Sequence, residues 1–224
     1  MKRTILIILF ALFYYLLLWA DPIAIVLKIK GNVSIESEGK EKSASAGDLL
    51  FPDDKIYSEK ESFAALKFID DGAIIRLFPD SEIKINATMD NKKINKKSIL
   101  KKGSILSKVK RKFGSYEVET PSAIASVKGT EFLTILEESG ATTLYTIEGV
   151  VNLKNRIDAN EKDVEKGQKA YSYGKGVIEI VNADISELGR DYLNYIDDWG
   201  ESKTIEIEFK NQSGERKMLE FNVE

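Results

Sequence analysis

Thr120–Phe132 reads T-P-S-A-I-A-S-V-K-G-T-E-F, and its reading decides the fold. Pro121 lacks an N–H and fixes φ near about −65°, so it cannot lie inside a central strand and must start one or turn a corner. Ala123 and Ala125 are small enough for close backbone approach, while Ile124 and Val127 read as buried. Gly129 then supplies backbone freedom for a bulge or kink. The run Thr130–Leu136 (T-E-F-L-T-I-L) is strongly β-prone. The expectation is strand, kinked crossing, strand: a structural device, not a reactive loop.

The same grammar extends in both directions. Downstream, Thr142–Leu153 (T-T-L-Y-T-I-E-G-V-V-N-L) reads as a strand returning on Thr130–Leu136, with Gly140 serving the turn. Upstream, Ile29–Ile35 is a strand with Gly31 as a bulge candidate, and Ser37–Gly47 reads as a loop or weak hairpin tip. Pro52-Asp53-Asp54 marks a turn. Ala64–Ile69 and Ala73–Phe78 flank Asp70-Asp71-Gly72, and Asp-Gly between two alternating apolar runs is a strong hairpin signal. Glu82–Ala87 alternates as a further strand. Ile29–Ile35 (I-K-G-N-V-S-I) is echoed by Ile147–Leu153 (I-E-G-V-V-N-L), each followed by a glycine, Gly47 or Gly167, that opens a new run. The echo fits either a duplicated unit or the recurring pattern of short strands.

Beyond Gly176 the pattern changes. Val177–Val181 alternates; then Ile185, Leu188, Tyr192, Tyr195, Ile196 and Trp199 fall at helical spacing between Asp184 and Gly200. Ile205, Ile207 and Phe209 alternate before an Asn211-Gln212-Ser213-Gly214 turn, and Leu219, Phe221 and Val223 alternate back. The expected fold is therefore all-β, a twisted sandwich or solenoid-like roll of many short strands, with one C-terminal helix and a terminal hairpin. The expected divisions are a leader at 1–20, an all-β domain at 21–176 and an extension at 177–224.

Thr120, Pro121, Ala123, Ala125, Val127, Lys128, Gly129, Thr130 and Phe132, followed by Gly149 and Val151, resemble the signature of the FecR domain family. Gly47–Ile56, Ala64–Leu77 and Leu100–Leu106 are similar to that family's remaining blocks in the same order, so the resemblance spans about residues 29–155. It implies an extracytoplasmic, twisted β fold. It also implies a module that meets partner proteins, which in the family's namesake systems relays a signal to a sigma-factor regulator. This sequence begins directly with a hydrophobic segment, so no cytoplasmic anti-sigma segment is expected and that regulatory role is not carried over.

The composition removes much chemistry. The 224 residues contain neither cysteine nor histidine. A disulfide framework, thiolate or imidazole metal ligation, Ser-His-Asp catalysis and a histidine pH switch are therefore all unavailable. At the N-terminus, Lys2 and Arg3 precede fifteen apolar residues, Ile5–Trp19. Fifteen helical residues span about 22 Å, short of a bilayer's hydrocarbon core of about 30 Å. The segment reads as a secretory signal peptide cut between Ala20 and Asp21, with an uncleaved membrane anchor as the alternative. Export to the periplasm is the expectation that follows. The net charge of −3 becomes more negative without Lys2 and Arg3, giving no global attraction to nucleic acid.

Three sets of side chains are candidate sites. Asn91–Tyr116 holds ten cations and no acid: Lys92, Lys93, Lys96, Lys97, Lys101, Lys102, Lys108, Lys110, Arg111 and Lys112. Read as strands with a basic outer face, they keep an edge solvated or attract an anionic lipid, polymer or acidic partner, and the third reading, nucleic-acid binding, lacks interleaved aromatics. Asp53-Asp54, Asp70-Asp71 and Asp197-Asp198 could suggest glycoside hydrolysis or calcium, but the first needs two carboxylates converging in space, the second finds no D-x-[DN]-x-[DN]-G loop, and turns give the first two pairs a local reason to exist. Tyr192, Tyr195 and Trp199 form a helix's core face or a docking surface. Val127-Lys128-Gly129-Thr130 lacks the G-x-x-x-x-G-K-[ST] order of a phosphate loop. The sequence thus points to a non-enzymatic, cofactor-free binding or signalling module in the cell envelope, whose partner is an envelope protein or cell-wall polymer. A carboxylate-based hydrolase of envelope polysaccharide, or a membrane-retained sensor, is the alternative.

Overall fold

The structure is a computed structural model that describes residues 21–70, 73–90, 93–110, 115–183, 186, 192, 203–210 and 216–223. In chain order the strands are β1 (Ala24–Lys30), β2 (Val33–Ser37), β3 (Lys40–Ser43), β4 (Leu49–Leu50), β5 (Lys55–Ser58), β6 (Phe63–Phe68) and β7 (Ile74–Leu77). They continue as β8 (Ser81–Asp90), β9 (Lys93–Lys108), β10 (Tyr116–Glu119), β11 (Ala123–Val127), β12 (Glu131–Leu136) and β13 (Thr142–Glu148). The last are β14 (Val150–Asn155), β15 (Glu161–Glu165), β16 (Gln168–Ser172), β17 (Glu179–Asn182), β18 (Lys203–Lys210) and β19 (Arg216–Val223).

Seventeen strands form one continuous sheet folded into two facing layers, and β18 pairs with β19 in a sheet of their own. The first layer runs β4-β1-β6-β7-β9-β12-β13-β16-β17. The second runs β3-β2-β5-β8-β9-β10-β11-β14-β15. Neighbours are antiparallel except β9 and β10, which are parallel. β9 belongs to both layers. Its residues up to Lys102 pair with β8, and from Gly103 onward they pair with β12.

Hairpins alternate between layers, and every layer crossing that is wholly described contains a residue of positive φ: Gly31, Gly47, Asp53, Glu61, Asp80, Gly103, Gly129, Gly149 or Gly167. At Gly149 the need is steric as well as conformational. A Cβ there would lie 2.9 Å from the Gly129 carbonyl oxygen, so these two crossings pack backbone to backbone. Thr142–Leu153, expected as one strand, is therefore two. β13 returns on β12, whereas β14 passes to the other layer and pairs with β11. The expected kinked crossing at Gly129 is present, between β11 in one layer and β12 in the other.

The echoed heptapeptides occupy equivalent places. Gly31 lies between β1 and β2 and Gly149 between β13 and β14, while Val33, Ile35, Val151 and Leu153 are all buried. β1 pairs with β4 and β2 with β3; likewise β13 pairs with β16 and β14 with β15. Gly47 N donates to Val26 O at 2.8 Å, and Gly167 N donates to Thr146 O at 2.9 Å. The Ser37–Gly47 stretch is a true hairpin, closed by Glu38 and Gly39, both at positive φ as a type I′ turn requires.

The layers differ in what they bury. Second-layer strands alternate, as in β11 and β14, because their outer face meets water. First-layer strands β1, β6 and β13 are buried on both faces along most of their length. Their sequences A-I-V-L, F-A-A-L and T-T-L-Y are correspondingly apolar or neutral rather than alternating. Segment 184–200, expected as a helix, lies outside the described residues apart from Ser186 and Tyr192. The leader at 1–20, the Asp71-Gly72 turn and the turn at 211–214 also lie outside them.

Tyr116 sits at the centre of the core, 1% exposed, with its ring 6.2 Å from Phe68 and 6.3 Å from Phe132. Its hydroxyl donates to Ser98 Oγ and lies 3.0 Å from Ser107 Oγ, joining the two halves of β9. Burial pushes its phenol up to about 12, against the opposing effect of the two serine hydrogen bonds. A raised folded-state pKa contributes stability in full below the ordinary value near 10, and that stability is lost as pH rises toward 12. Tyr116→Phe should cost about 1–2 kcal/mol at neutral pH, since two buried serines lose a partner. It should lose less further stability between pH 9 and 11 than the parent does, which urea unfolding at those pH values would show.

Candidate interaction site

The signature residues are architectural. Thr120–Ser122 forms the β10–β11 turn, with Pro121 exposed at its tip. Thr120 Oγ1 accepts from Ala123 N at 2.9 Å and lies 2.6 Å from Thr142 Oγ1, which lies 2.6 Å from Ser122 Oγ. This buried hydroxyl cluster ties the second-layer turn to the first layer. Ala123, Ala125 and Val127 face inward, whereas Ile124 is half-buried on the outer face; strand parity corrects the expectation that Ile124 is core. Thr130 Oγ1 donates to Val150 O at 3.1 Å, Phe132 and Val151 are core, and Lys128 is exposed.

The cationic stretch does not make one basic face. Lys96 is the main correction. It shares the inward parity of Ser98 and Leu100, its side chain is 1% exposed, and its Nζ lies 2.8 Å from Asp70 Oδ2. Lys97 is bracketed by Glu119 at 3.1 Å and Glu117 at 3.8 Å on β10, and Lys108 pairs with Glu131 at 3.2 Å on β12. Burial of Glu119 works against its ionisation, but Lys97 and Arg156 together hold its carboxyl below the usual range. Lys101, Lys102 and Lys110 are exposed. Lys92, Arg111 and Lys112 lie outside the described residues, and only the backbone of Lys93 is described.

Of the acidic pairs, Asp53, Asp54 and Asp70 are described, and each of these carboxylates has its own partner. Asp53 binds Lys84 at 2.7 Å and Asn86 at 3.0 Å, while buried Asp54 accepts from Phe51 N at 2.8 Å. Asp71 and Asp197-Asp198 lie outside the described residues. An open polar groove beside the β2–β3 hairpin is lined in part by Glu41 and Glu59. Glu41 accepts from Ser34 Oγ at 2.6 Å and Glu59 from Asn32 Nδ2 at 3.1 Å. Among the described residues no three acidic side chains are gathered as a metal site.

A feature that residue-by-residue reading missed lies beside the 120–122 turn. Loops 156–160 and 173–177 are bonded to each other and to that turn: Arg156 N donates to Ser122 O at 3.0 Å and Ile157 N to Gly174 O at 2.9 Å. Asp158 organises the pair, accepting from Gly176 N at 2.6 Å, Asn160 N at 3.1 Å and Asn155 Nδ2 at 3.1 Å. The Gly176 amide, opposed by some desolvation and helped by Asn160 and Asn155, holds the Asp158 carboxyl below the usual range. A depressed pKa means the bracing is complete above the ordinary aspartate value and is released only as acid reaches below it. Buried Asn155, 1% exposed, also donates to Gly176 O at 2.9 Å and accepts from Ser172 Oγ at 2.7 Å.

On this braced loop pair three large apolar side chains face water: Ile157 is 72% exposed, Tyr173 58% and Val177 73%. Ile178, 1% exposed, anchors the second loop. The sequence signal was Ile157 alone in the polar turn Arg-Ile-Asp-Ala-Asn, where only an Asp-x-Asn turn reason was visible. The strand registers place this tip far from the chain's entry. Ala24 shares its end of the first layer with Phe68, Lys108 and Glu148, whereas Ser172, just before Tyr173, pairs with Thr142 at the other.

Residues 54–152 match the sequence profile of the family described as FecR protein. Two crystal structures from Parabacteroides distasonis, each of a provisionally assigned anti-sigma factor, are similar in fold. The first, at 2.50 Å resolution, is 14% identical with a TM-score of 0.50, covering 60% of this chain and 62% of that one. The second, at 1.65 Å, is 13% identical with a TM-score of 0.49, covering 71% and 70%. The chain thus spans less than two thirds of the first relative's length. No curated protein matches the sequence.

Proposed function

We propose, from the premise that this chain carries at residues 54–152 a domain belonging to the FecR protein family, that it is a non-enzymatic interaction module for signalling or regulation in the cell envelope. The observation that carries the reading is the tip: exposed Ile157, Tyr173 and Val177 on loops made rigid by the Asp158 network. Apolar side chains held stiffly in water cost little ordering entropy when a partner covers them, and such patches mark interaction sites. The basic, apolar start of the sequence supports placement outside the cytoplasm, with the partner an envelope protein. The provisional anti-sigma assignment of the first of these proteins agrees with a regulatory role.

The test replaces Tyr173 with a photo-crosslinking amino acid in the producing cell and uses Tyr57, on the second layer's outer face, as the control position. Crosslinked partner should appear from position 173 and not from 57. Ile157→Asp with Val177→Asp should remove it while leaving Tm within about 2 °C, as expected for exposed positions. Equal yields from both positions, or no effect of the double substitution, would defeat the reading.

A further inference from the structure

An open sheet ends in edge strands, and most of those in this roll are blunted. Among the described residues β3, β4, β15 and β17 each pair on one side alone. β3 reads K-E-K-S, β15 reads E-K-D-V-E, and β4 is two residues long. Charge and shortness keep an edge from pairing with another chain. β17 has neither protection to the same degree: it reads E-I-V-N with one charge, and Val181 is 48% exposed. Its free side is fixed by the register. Ala183 N donates to Gly167 O at 3.0 Å, and pairing runs unbroken from Gln168↔Asn182 to Tyr171↔Glu179. Hydrogen-bonded and non-bonded positions alternate along such a pair. Val181 and Glu179 therefore bond to β16, while the N–H and C=O of Ile180 and Asn182 point outward. Tyr192 does not lie along this edge; its ring is 4.9 Å from Phe78, over the middle of the layer.

We propose that β17 pairs with β17 of a second copy of this chain, antiparallel about a two-fold axis at Val181. In that register Ile180 opposes the second copy's Asn182, and Asn182 its Ile180. Both pairs join outward-facing residues, so each exchanges two N–H···O bonds. Val181 meets its own twin as a closely spaced, non-bonded pair, and both side chains leave water. Glu179, the one charge of β17, falls opposite Ala183. An axis at Glu179 would set two carboxylates directly against each other, and an axis at Ile180 would set that carboxylate against Val181. The strand is thus complementary to itself in one register, which selects a second copy as the occupant. Ile157 and Tyr173 lie outside the register, so the pairing stands independently of the partner proposed for the tip.

The chain has no cysteine, so single substitutions read the register directly. In the producing cell under a mild thiol oxidant, full-length Val181→Cys should form a disulfide-linked homodimer, because twin residues on the axis place their Cα atoms about 4.5 Å apart. Glu179→Cys should give about tenfold less, since its twin is displaced by about four residues, roughly 13 Å along the strand. Asn182→Pro removes an outward N–H and leaves the bonds to β16 in place. Added to Val181→Cys, it should abolish most of the crosslink while amide exchange in β16 of the purified protein stays as in the parent. The contrast between positions 181 and 179 decides even where the proline perturbs the edge. Equal yields from the two positions, a crosslink indifferent to Asn182→Pro, or a mixed disulfide with a different protein in place of the homodimer would each overturn the assignment.

Discussion

Gly103→Val should yield insoluble protein, or a soluble fraction whose Tm is lower by about 10 °C or more. Gly103 is where β9 leaves one layer for the other, at φ +77°. A Cβ there would fall 2.1 Å from Ser81 Oγ and 2.8 Å from both Asp80 O and Ser81 Cα, so backbone as well as side chain must move. Ser81 cannot yield cheaply. It is 2% exposed, its Oγ accepts from Ser104 N at 2.9 Å, and its own N donates to Ser58 Oγ at 3.1 Å. Left-handed backbone costs a non-glycine residue about 1–2 kcal/mol, and each buried hydrogen bond broken adds about 1–3 kcal/mol. The sum approaches the whole stability of an ordinary domain, about 5–15 kcal/mol. Gly39→Ala is the control: its φ is +76°, but nothing lies within 4 Å of the added carbon. A soluble Gly103→Val protein melting with the parent would refute the crossing.

Asp70→Ala should cost about 1.5–3 kcal/mol in urea unfolding, because it removes the carboxylate that the buried Lys96 ammonium meets at 2.8 Å. The Lys96 side chain is 1% exposed and Asp70 18%, so the cation is the more deeply committed partner. Lys96→Met keeps the stem's packing and removes the charge, so it should cost less than half as much. The double variant should resemble Lys96→Met alone. Equal losses in the two single variants would mean that the pair behaves as a surface ion pair, against the geometry.

Much of this fold is legible in the residues. Apolar alternation in β10, β11 and β14 marks half-buried strands, and Asp-Gly at 71–72 marks the hairpin between β6 and β7, whose partners Lys67 and Ile74 are in register. The glycines at 103, 129 and 149 are visible as punctuation, but which layer the chain enters after each is not, because layer choice is a long-range outcome of pairing. That is why Thr142–Leu153 reads as one strand. Lys96 escaped notice for a related reason: its parity is set by the register of β8 on β9, with a shift at Glu82/Ile83, and not by its lysine neighbours. The tip was the least legible, since the exposure of Ile157 and Val177 depends on two separate loops meeting through Asp158 and Gly176, 18 residues apart in sequence. The family match covers residues 54–152; the signature residues inside that range build the frame, and the exposed apolar side chains of the tip lie outside it.

A strand threaded through both layers leaves the roll without a plane along which its halves could part. Its length then acts as a fixed spacer. The five residues of β16, at about 3.3 Å each, together with the adjoining turns, set whatever grips Tyr173 about 20 Å along the strands from the end of the layer that holds Ala24. Load applied at one end of the described strands would pass to the other through the continuous hydrogen-bonded sheet.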